Sequence, residues 1–500
     1  MSEERPPNLW WGMFKRFAIA TVLIVVLAAG VTATAALEQV KQVADVIGRG
    51  SAPIHSADLT PDTPGAPQTI LVIGSDKRAL ARSAFDRRDP PHSDTLLLMR
   101  MDPNRSQTSV LSVPRDLQVT YTDHGRRFPG AKINSAYTVG GAQLAVKVIK
   151  QTLPGLTIQH VVDVNFNGFR RAVDAVGCVY TDVDRRYFND NLSTPTPYAT
   201  INIQPGYQRL CGQDALDYVR YRHTDSDFVR VARQQDFIRQ MKEQVGVSGL
   251  VGKRAQIENA VGPSITTDIR GVGEVIRLSK LIAFSVGRPV RQVRFQSNVL
   301  NVKSGSFVTA TTQQIHTTVG DFLHGDPAPR LPPPPPPARR APRGSRGHRR
   351  PTPAPATVPG LTSTPDPLRQ AALAHTGGSV SLYYPRTMLA SGGQADVRAY
   401  RLRDETGHLH HAYRVVFSTG LVGDYYGLQG MDWSTPPMLA HASPLRSSDG
   451  HRFLAVNDGQ HIHVLAWRTA HGVYWLSNTL LERLSNAQML AIAESVAPLR

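Results

Sequence analysis

The chain predicts an α/β fold, an α/β/α sandwich on a single N-terminal membrane helix, followed by a smaller α+β domain. Three observations lead there. Short β-branched runs at 70–73 and 161–164 alternate with helical apolar spacing at 134–153 and 166–176, the pattern of an α/β layer structure. One uncharged run of membrane length occupies 17–37, and a Pro/Arg-rich stretch at 326–370 parts two segments of globular composition.

From the amino terminus, residues 1–16 carry Arg5, Lys15 and Arg16, with Trp10 and Trp11 at the near interface. That asymmetry places the first residues in the cytoplasm and the remainder outside the cell membrane, a single-pass topology. A cleaved signal peptide, cut near Ala33, Thr34 and Ala35, is the alternative, but the apolar run exceeds the usual signal core. Residues 38–67 read as a polar stalk and 68–325 as the catalytic domain.

In that domain the strand at 70–73 ends in Gly74, Ser75 and Asp76, which sets Asp76 at a strand tip. Runs at 95–101 and 108–113, joined through Asp102, Pro103 and Asn104, form a hairpin. Asp94 opens its first arm and Arg115 with Asp116 closes the second, so pairing brings them to one end. The stretch 134–153 reads as a turn followed by a helix with Leu144, Val148 and Ile149 on one side, and the helix at 166–176 stops at Gly177. Arg220 and Arg222, two apart in an extended segment, point to one side. Arg230, Arg233 and Gln234 share a face of a helix over 228–242. So many like charges repel unless an anion lies between them, whereas a solvated basic face and structural ion pairs are the plain alternatives. Carboxylates mixed with arginines suit a metal-bridged pyrophosphate.

The strings IGSDKR, HSDTLLLMRMDP, LSVPRDLQV, KINSAYTVGG, ALDYVRYRH and DFVRVARQQ, in that order, resemble the LytR-CpsA-Psr (LCP) family of cell-wall glycopolymer ligases over about residues 69–244. The resemblance implies an LCP-like catalytic domain that transfers a glycopolymer from a polyprenyl-pyrophosphate carrier to peptidoglycan with magnesium (Mg2+). It implies that Asp76 and Asp94 hold the metal. Arg115, Arg220, Arg222, Arg230 and Gln234 would grip the pyrophosphate, with Arg78 and Arg233 in support. Asp116 is a possible base for the attacking hydroxyl, or it pairs with an arginine and orients it. The family usually has arginine before the Ser-Asp-Thr string, where this chain has His92, which lacks the bidentate fork. Either that contact is weakened or pH dependent, or Arg87 or Arg88 reaches in.

Outside the membrane Cys178 and Cys211, which flank a segment rich in Asn, Pro and Thr that reads as a long loop, can form a disulfide, closing a loop worth on the order of 3–4 kcal/mol in the chain-entropy model. Ile149, Leu153, Phe166, Phe169, Val173 and Val176 could line a groove for the polyprenyl chain, although helical apolar spacing more often marks core.

A formal charge of +17 and pI near 10.1 would suit nucleic acid, but a domain outside the membrane cannot meet the chromosome, and no reading module stands out. Anionic wall polymers match better, and a transcriptional regulator does not. Residues 326–370 read as a disordered Pro/Arg linker. Residues 371–500 predict an α+β domain of unnamed function, with strands near 380–384, 412–417, 453–456, 462–467 and 473–476 and a capped helix from Ser485. His408, His410 and His411 lack a spaced acidic partner for a metal, and Tyr425, Tyr426, Trp433 and Tyr474 read as core before sugar platform. A polyprenyl-pyrophosphate hydrolase and a noncatalytic carrier-binding protein are the rival functions.

Overall fold

The computed structural model describes residues 54, 57–76, 91–105, 107–192, 199–221, 227–252, 265–269, 290–302, 305–325, 358–376, 380–447 and 450–499, with isolated positions between 256 and 277. The expected membrane segment at 17–37, Arg78, Arg87, Arg88, Arg222 and residues 326–357 lie outside them. Among the described residues no helix is long and apolar enough to cross a membrane.

The first unit holds strands β1 (Gln68–Ser75), β2 (Ser93–Asp102), β3 (Gln107–Ser112), β4 (Gln118–Asp123), β5 (Arg126–Lys132), β6 (His160–Asn165), β7 (Val179–Val183), β8 (Tyr187–Asn189), β9 (Ile201–Ile203), β10 (Gly206–Leu210), β11 (Ile265–Thr267), β12 (Val290–Val293), β13 (Asn298–Val302) and β14 (Gly305–Thr309). Its helices are α1 (Ser135–Thr152), α2 (Phe166–Val176), α3 (Gly212–Arg220), α4 (Asp227–Gly252) and α5 (Thr312–His324). A six-stranded mixed sheet in the order β11-β6-β1-β2-β3-β12 forms the middle layer. Strand alternation sorts its side chains: Leu71, Ile73, Leu96, Leu98 and Leu111 pack with Leu144, Val148 and Ile149 of α1 and Phe322 of α5. Leu97, Val110 and Val290 face the other way, onto Ile238 of α4. Helices therefore cover both faces. β1 runs parallel to β6 and antiparallel to β2, so the end of β1, the start of β2 and the end of β6 share one sheet edge.

Three local expectations need correction. Arg220 lies in the last turn of α3 instead of an extended segment, because 212–220 buries Ala215, Leu216 and Val219 at helical spacing. The stretch between the cysteines, expected as a long loop, contains paired strands β7 with β10 and β8 with β9. Pairing of Val179 with Leu210 brings Cys178 and Cys211 face to face, and they form a disulfide. Residues 358–370, assigned to the linker, are ordered, since Leu361 packs on the core of the second unit and a helix starts at Asp366.

That second unit contains β15 (Leu361–Ser363), α6 (Asp366–Thr376), β16 (Tyr383–Pro385), β17 (Thr387–Leu389), β18 (Gly393–Arg403), β19 (Leu409–Ser418), β20 (Tyr425–Met431), β21 (Ser443–Arg446), β22 (Arg452–Asp458), β23 (His461–Thr469), β24 (Gly472–Ser477), α7 (Asn486–Glu494) and β25 (Val496–Pro498). Strands β18 to β24 make one seven-stranded antiparallel sheet. α7 opens on the capping box of Ser485 and Gln488. Tyr426, Trp433 and Tyr474 are buried, as aromatic core.

The two units share buried side chains. Tyr180 and Tyr207 belong to the first, yet they pack with Trp433, Met438 and Trp475 of the second. Arg414, wholly buried, reaches across to Asp182 at 3.0 Å, and the Trp475 indole N–H donates to the same carboxylate at 3.2 Å. A second bridge joins Asp236 and Arg239 of α4 to His463, whose other ring nitrogen meets Glu482. Burial and Arg239 push the His463 pKa down, but Glu482 and Asp236 outweigh them and raise it to about 10.

Candidate functional site

At the edge where β1 ends and β2 begins, Asp76 and His92 exchange backbone contacts. The Asp76 N–H donates to the His92 carbonyl at 3.1 Å, and the His92 N–H donates to Asp76 Oδ1 at 2.6 Å. Register then sets Asp94 two residues along the same edge. The hairpin returns Arg115 to it: Arg115 Nη1 lies 2.6 Å from Asp94 Oδ1, and Arg115 Nε lies 3.7 Å from Asp116 Oδ2. Lys132, at the end of β5, holds the other Asp116 oxygen at 2.7 Å. The four side chains form a chain of alternating charge, carboxylate, guanidinium, carboxylate, ammonium. Both Asp116 oxygens thus have cationic neighbours, an arrangement that orients Arg115.

Beside this chain, Asp163 of β6 is almost fully buried. It accepts from Ser75 Oγ at 2.9 Å and from Tyr137 Oη at 2.6 Å. Burial and the neighbouring Asp163 charge push the Tyr137 phenol upward, so it stays a donor. Lys132, Tyr137 and Asp163 were not among the expected site residues. Lys132 and Tyr137 stand inside the KINSAYTVGG string, and Asp163 is an acid within the valine-rich segment HVVDVN, the one signal that could have marked it.

Across the edge, the Arg220 guanidinium lies 4.0 Å from the centre of the Phe166 ring, at the start of α2. Arg230 and Gln234 follow on α4, both nearly buried, and Gln234 Nε2 donates to the Val219 carbonyl at 3.0 Å. Arg233 sits differently from the pyrophosphate support expected of it. Its side chain is enclosed, it donates to the Tyr221 carbonyl, and its guanidinium lies 4.7 Å from the Tyr187 ring. Helical spacing put it on a polar face without saying that tyrosines cover that face. Ile149, Leu153 and Val173, offered as groove lining, are core. An open cleft of about 270 Å³ instead adjoins Pro114, between Phe228 and Val231 of α4 and Leu480 and Leu481 of the second unit. His410 does have acidic partners, with its ring nitrogens 3.2 Å from Asp404 and 3.0 Å from Asp432.

The LytR_cpsA_psr family model matches residues 30–318, more than half the chain. The chain belongs to the LytR-CpsA-Psr family. It is 26% identical over 255 residues to biofilm regulatory protein A of Streptococcus mutans, covering 50% of this chain and 61% of that one. It is 32% identical over 213 residues to the polyisoprenyl-teichoic acid–peptidoglycan teichoic acid transferase TagU of Halalkalibacterium halodurans, covering 41% of this chain and 62% of that one. Each match spans about three-fifths of the relative's length. The crystal structure of B. subtilis TagV covers 52% of this chain and 98% of its own at 22% identity, with a TM-score of 0.42. In this LytR-CpsA-Psr chain the second unit, 358–499, lies beyond the matched residues. Asp76 and Asp94 offer hard oxygen donors on one edge, a donor set that suits Mg2+ better than a softer metal.

Proposed function

We propose that this chain transfers an anionic glycopolymer from a polyprenyl-pyrophosphate carrier to peptidoglycan. The observation that carries the reading is Arg115 held between Asp94 and Asp116 on the edge that also presents Asp76, with Arg220 stacked on Phe166, where β6 ends at that same edge. Family membership, and the teichoic acid transferase named among its relatives, support it. A magnesium ion bound by Asp76 and Asp94 would neutralise charge on the pyrophosphate oxygens. Arg115 and Arg220 bind the remaining oxygens and stabilise the charge that develops on them. Asp116 and Lys132 keep Arg115 aimed. A peptidoglycan hydroxyl attacks the phosphorus that bears the sugar and loses its proton to water, a new phosphodiester forms, the bond from that phosphorus to the bridging oxygen breaks, and polyprenyl phosphate leaves with that oxygen.

The test is the full chain in detergent with Mg2+, a labelled polyprenyl pyrophosphoryl saccharide and peptidoglycan oligomers, followed by mass spectrometry. Label should appear on peptidoglycan. In Arg115→Ala the loss of a charge-assisted contact of about 2–4 kcal/mol should slow transfer roughly 30- to 1000-fold. Saccharide phosphate released without acceptor would make the protein a hydrolase. Intact lipid retained on the protein would make it a carrier-binding module.

A further inference from the structure

Two loops beside the candidate site hold large apolar side chains in water. Strand β8 exposes Phe188 at 44%, and Leu192, just beyond it, is 88% exposed. The loop from β19 to β20 exposes Leu421 at 51% and Val422 at 84%. Scattered exposed apolar residues are ordinary, but consecutive ones on a fixed loop tip are not. This tip is fixed: Gly420 and Gly423 take positive φ on either side, and the buried Asp424 accepts from Thr419 Oγ1 at 2.9 Å and pairs with Arg483 at 3.0 Å.

The two loops are neighbours through Arg185, whose guanidinium lies 4.6 Å from the Tyr187 ring and 5.4 Å from the Tyr425 ring. They also border the catalytic edge, because Tyr221 Oη, one residue past Arg220, donates to the Phe188 carbonyl at 3.2 Å. Cations accompany the apolar tips. The Arg186 guanidinium lies 4.6 Å from the Phe188 ring, and the Arg483 side chain is half exposed. Apolar side chains ringed by arginines match the acyl boundary and anionic headgroups of a lipid surface.

We propose that strand β8, with Leu192 just beyond it, and the β19–β20 loop together form a membrane-contact surface. It seats Phe188, Leu192, Leu421 and Val422 in the outer leaflet of an anionic bilayer, with Arg186 and Arg483 at headgroup level. The inference rests on the reading above in one respect, that the donor is carried by a lipid. Its effect is to hold the arginine edge where a polyprenyl pyrophosphate emerges from the leaflet.

The experiment places an environment-sensitive fluorophore on single thiols introduced into the full chain, whose own cysteines are joined in a disulfide. Val422→Cys and Leu192→Cys probe the surface. Glu405→Cys is the control, since the turn that bears it closes the opposite end of the β18–β19 ladder, about 30 Å away at strand rise. With phosphatidylcholine–phosphatidylglycerol vesicles, emission at 422 and 192 should rise several-fold and be quenched by doxyl-labelled lipid, while 405 stays unchanged. No quenching at 422 or at 192, or an equal response at 405, overturns the proposal. So does a rise at 422 produced by peptidoglycan oligomers in place of vesicles. Quenching without any transfer would defeat the enzymatic reading and leave the surface standing. Transfer with unquenched probes would do the reverse.

Discussion

Asp163 carries no direct role in the proposed transfer, yet it fixes the residues that do. Its two oxygens accept from Ser75, the neighbour of Asp76, and from Tyr137, so it ties the tip of β1 to α1. Tyr137→Phe removes one donor from a buried carboxylate and should lower stability by about 1–3 kcal/mol in urea unfolding. Arg115 with Asp94 was legible in the sequence because a hairpin's register is arithmetic: once the two arms are found, their ends must meet. Asp163 was not, because a lone acid in a valine-rich strand declares neither its depth nor its partner. Arg233 misled for the complementary reason, since three-residue spacing marks a shared face but not what lies over it.

Among the elements, α4 shows how a polar face can be interior. Asp236, Arg239 and Gln240 are all buried, and the first two owe this to His463 and its neighbours. Burial pushes Asp236 upward, but Arg239 and His463 outweigh it and hold the carboxyl below its usual range. His463→Ala would leave Asp236 and Glu482 without their shared imidazolium and should cost about 3–5 kcal/mol near neutral pH, read by chemical unfolding. The sign with pH follows from a raised pKa. The His463 contribution is complete below about 6.5 and is lost as pH climbs through about 10, so the wild type and variant curves should converge there. Asp458 shifts stability in the same direction, but at lower pH. Burial and Glu482 raise its pKa to about 6, so ionisation costs the folded state, and stability declines from the ordinary carboxylate range up to about pH 6. Asp458→Asn should raise Tm at pH 7 and flatten that decline in melts across the acid range. Helices and capped termini such as α7 were readable from spacing alone. This clamp was not, since its members stand more than two hundred residues apart.

For the molecule as a whole, the second unit completes the first. Removing residues 326–500 would expose Tyr180 and Tyr207 to water and strip Asp182 and Asp236 of the basic groups of Arg414 and His463. The truncated chain should bind a hydrophobic dye and melt several degrees lower than the full chain, as measured by dye fluorescence and calorimetry. A sheet between helix layers was visible in the alternation of runs, though not its mix of parallel and antiparallel pairs. The docking was hidden, because Tyr180, Asp182 and Tyr207 sit on β7 and β10, inside a stretch whose Asn, Pro and Thr read as loop.

That placement redraws where the protein can be cut and recombined. The surface that receives the second unit is a ribbon sealed at its base by Cys178 and Cys211, with Tyr180, Asp182 and Tyr207 on its strands. A chimaera that swapped 358–499 alone would meet a ribbon shaped for another lid. The exchangeable module is discontinuous: a graft of 178–211 with 358–499 keeps Asp182 with Arg414, and it must also carry Asp236 and Arg239 of α4 to keep the partners of His463.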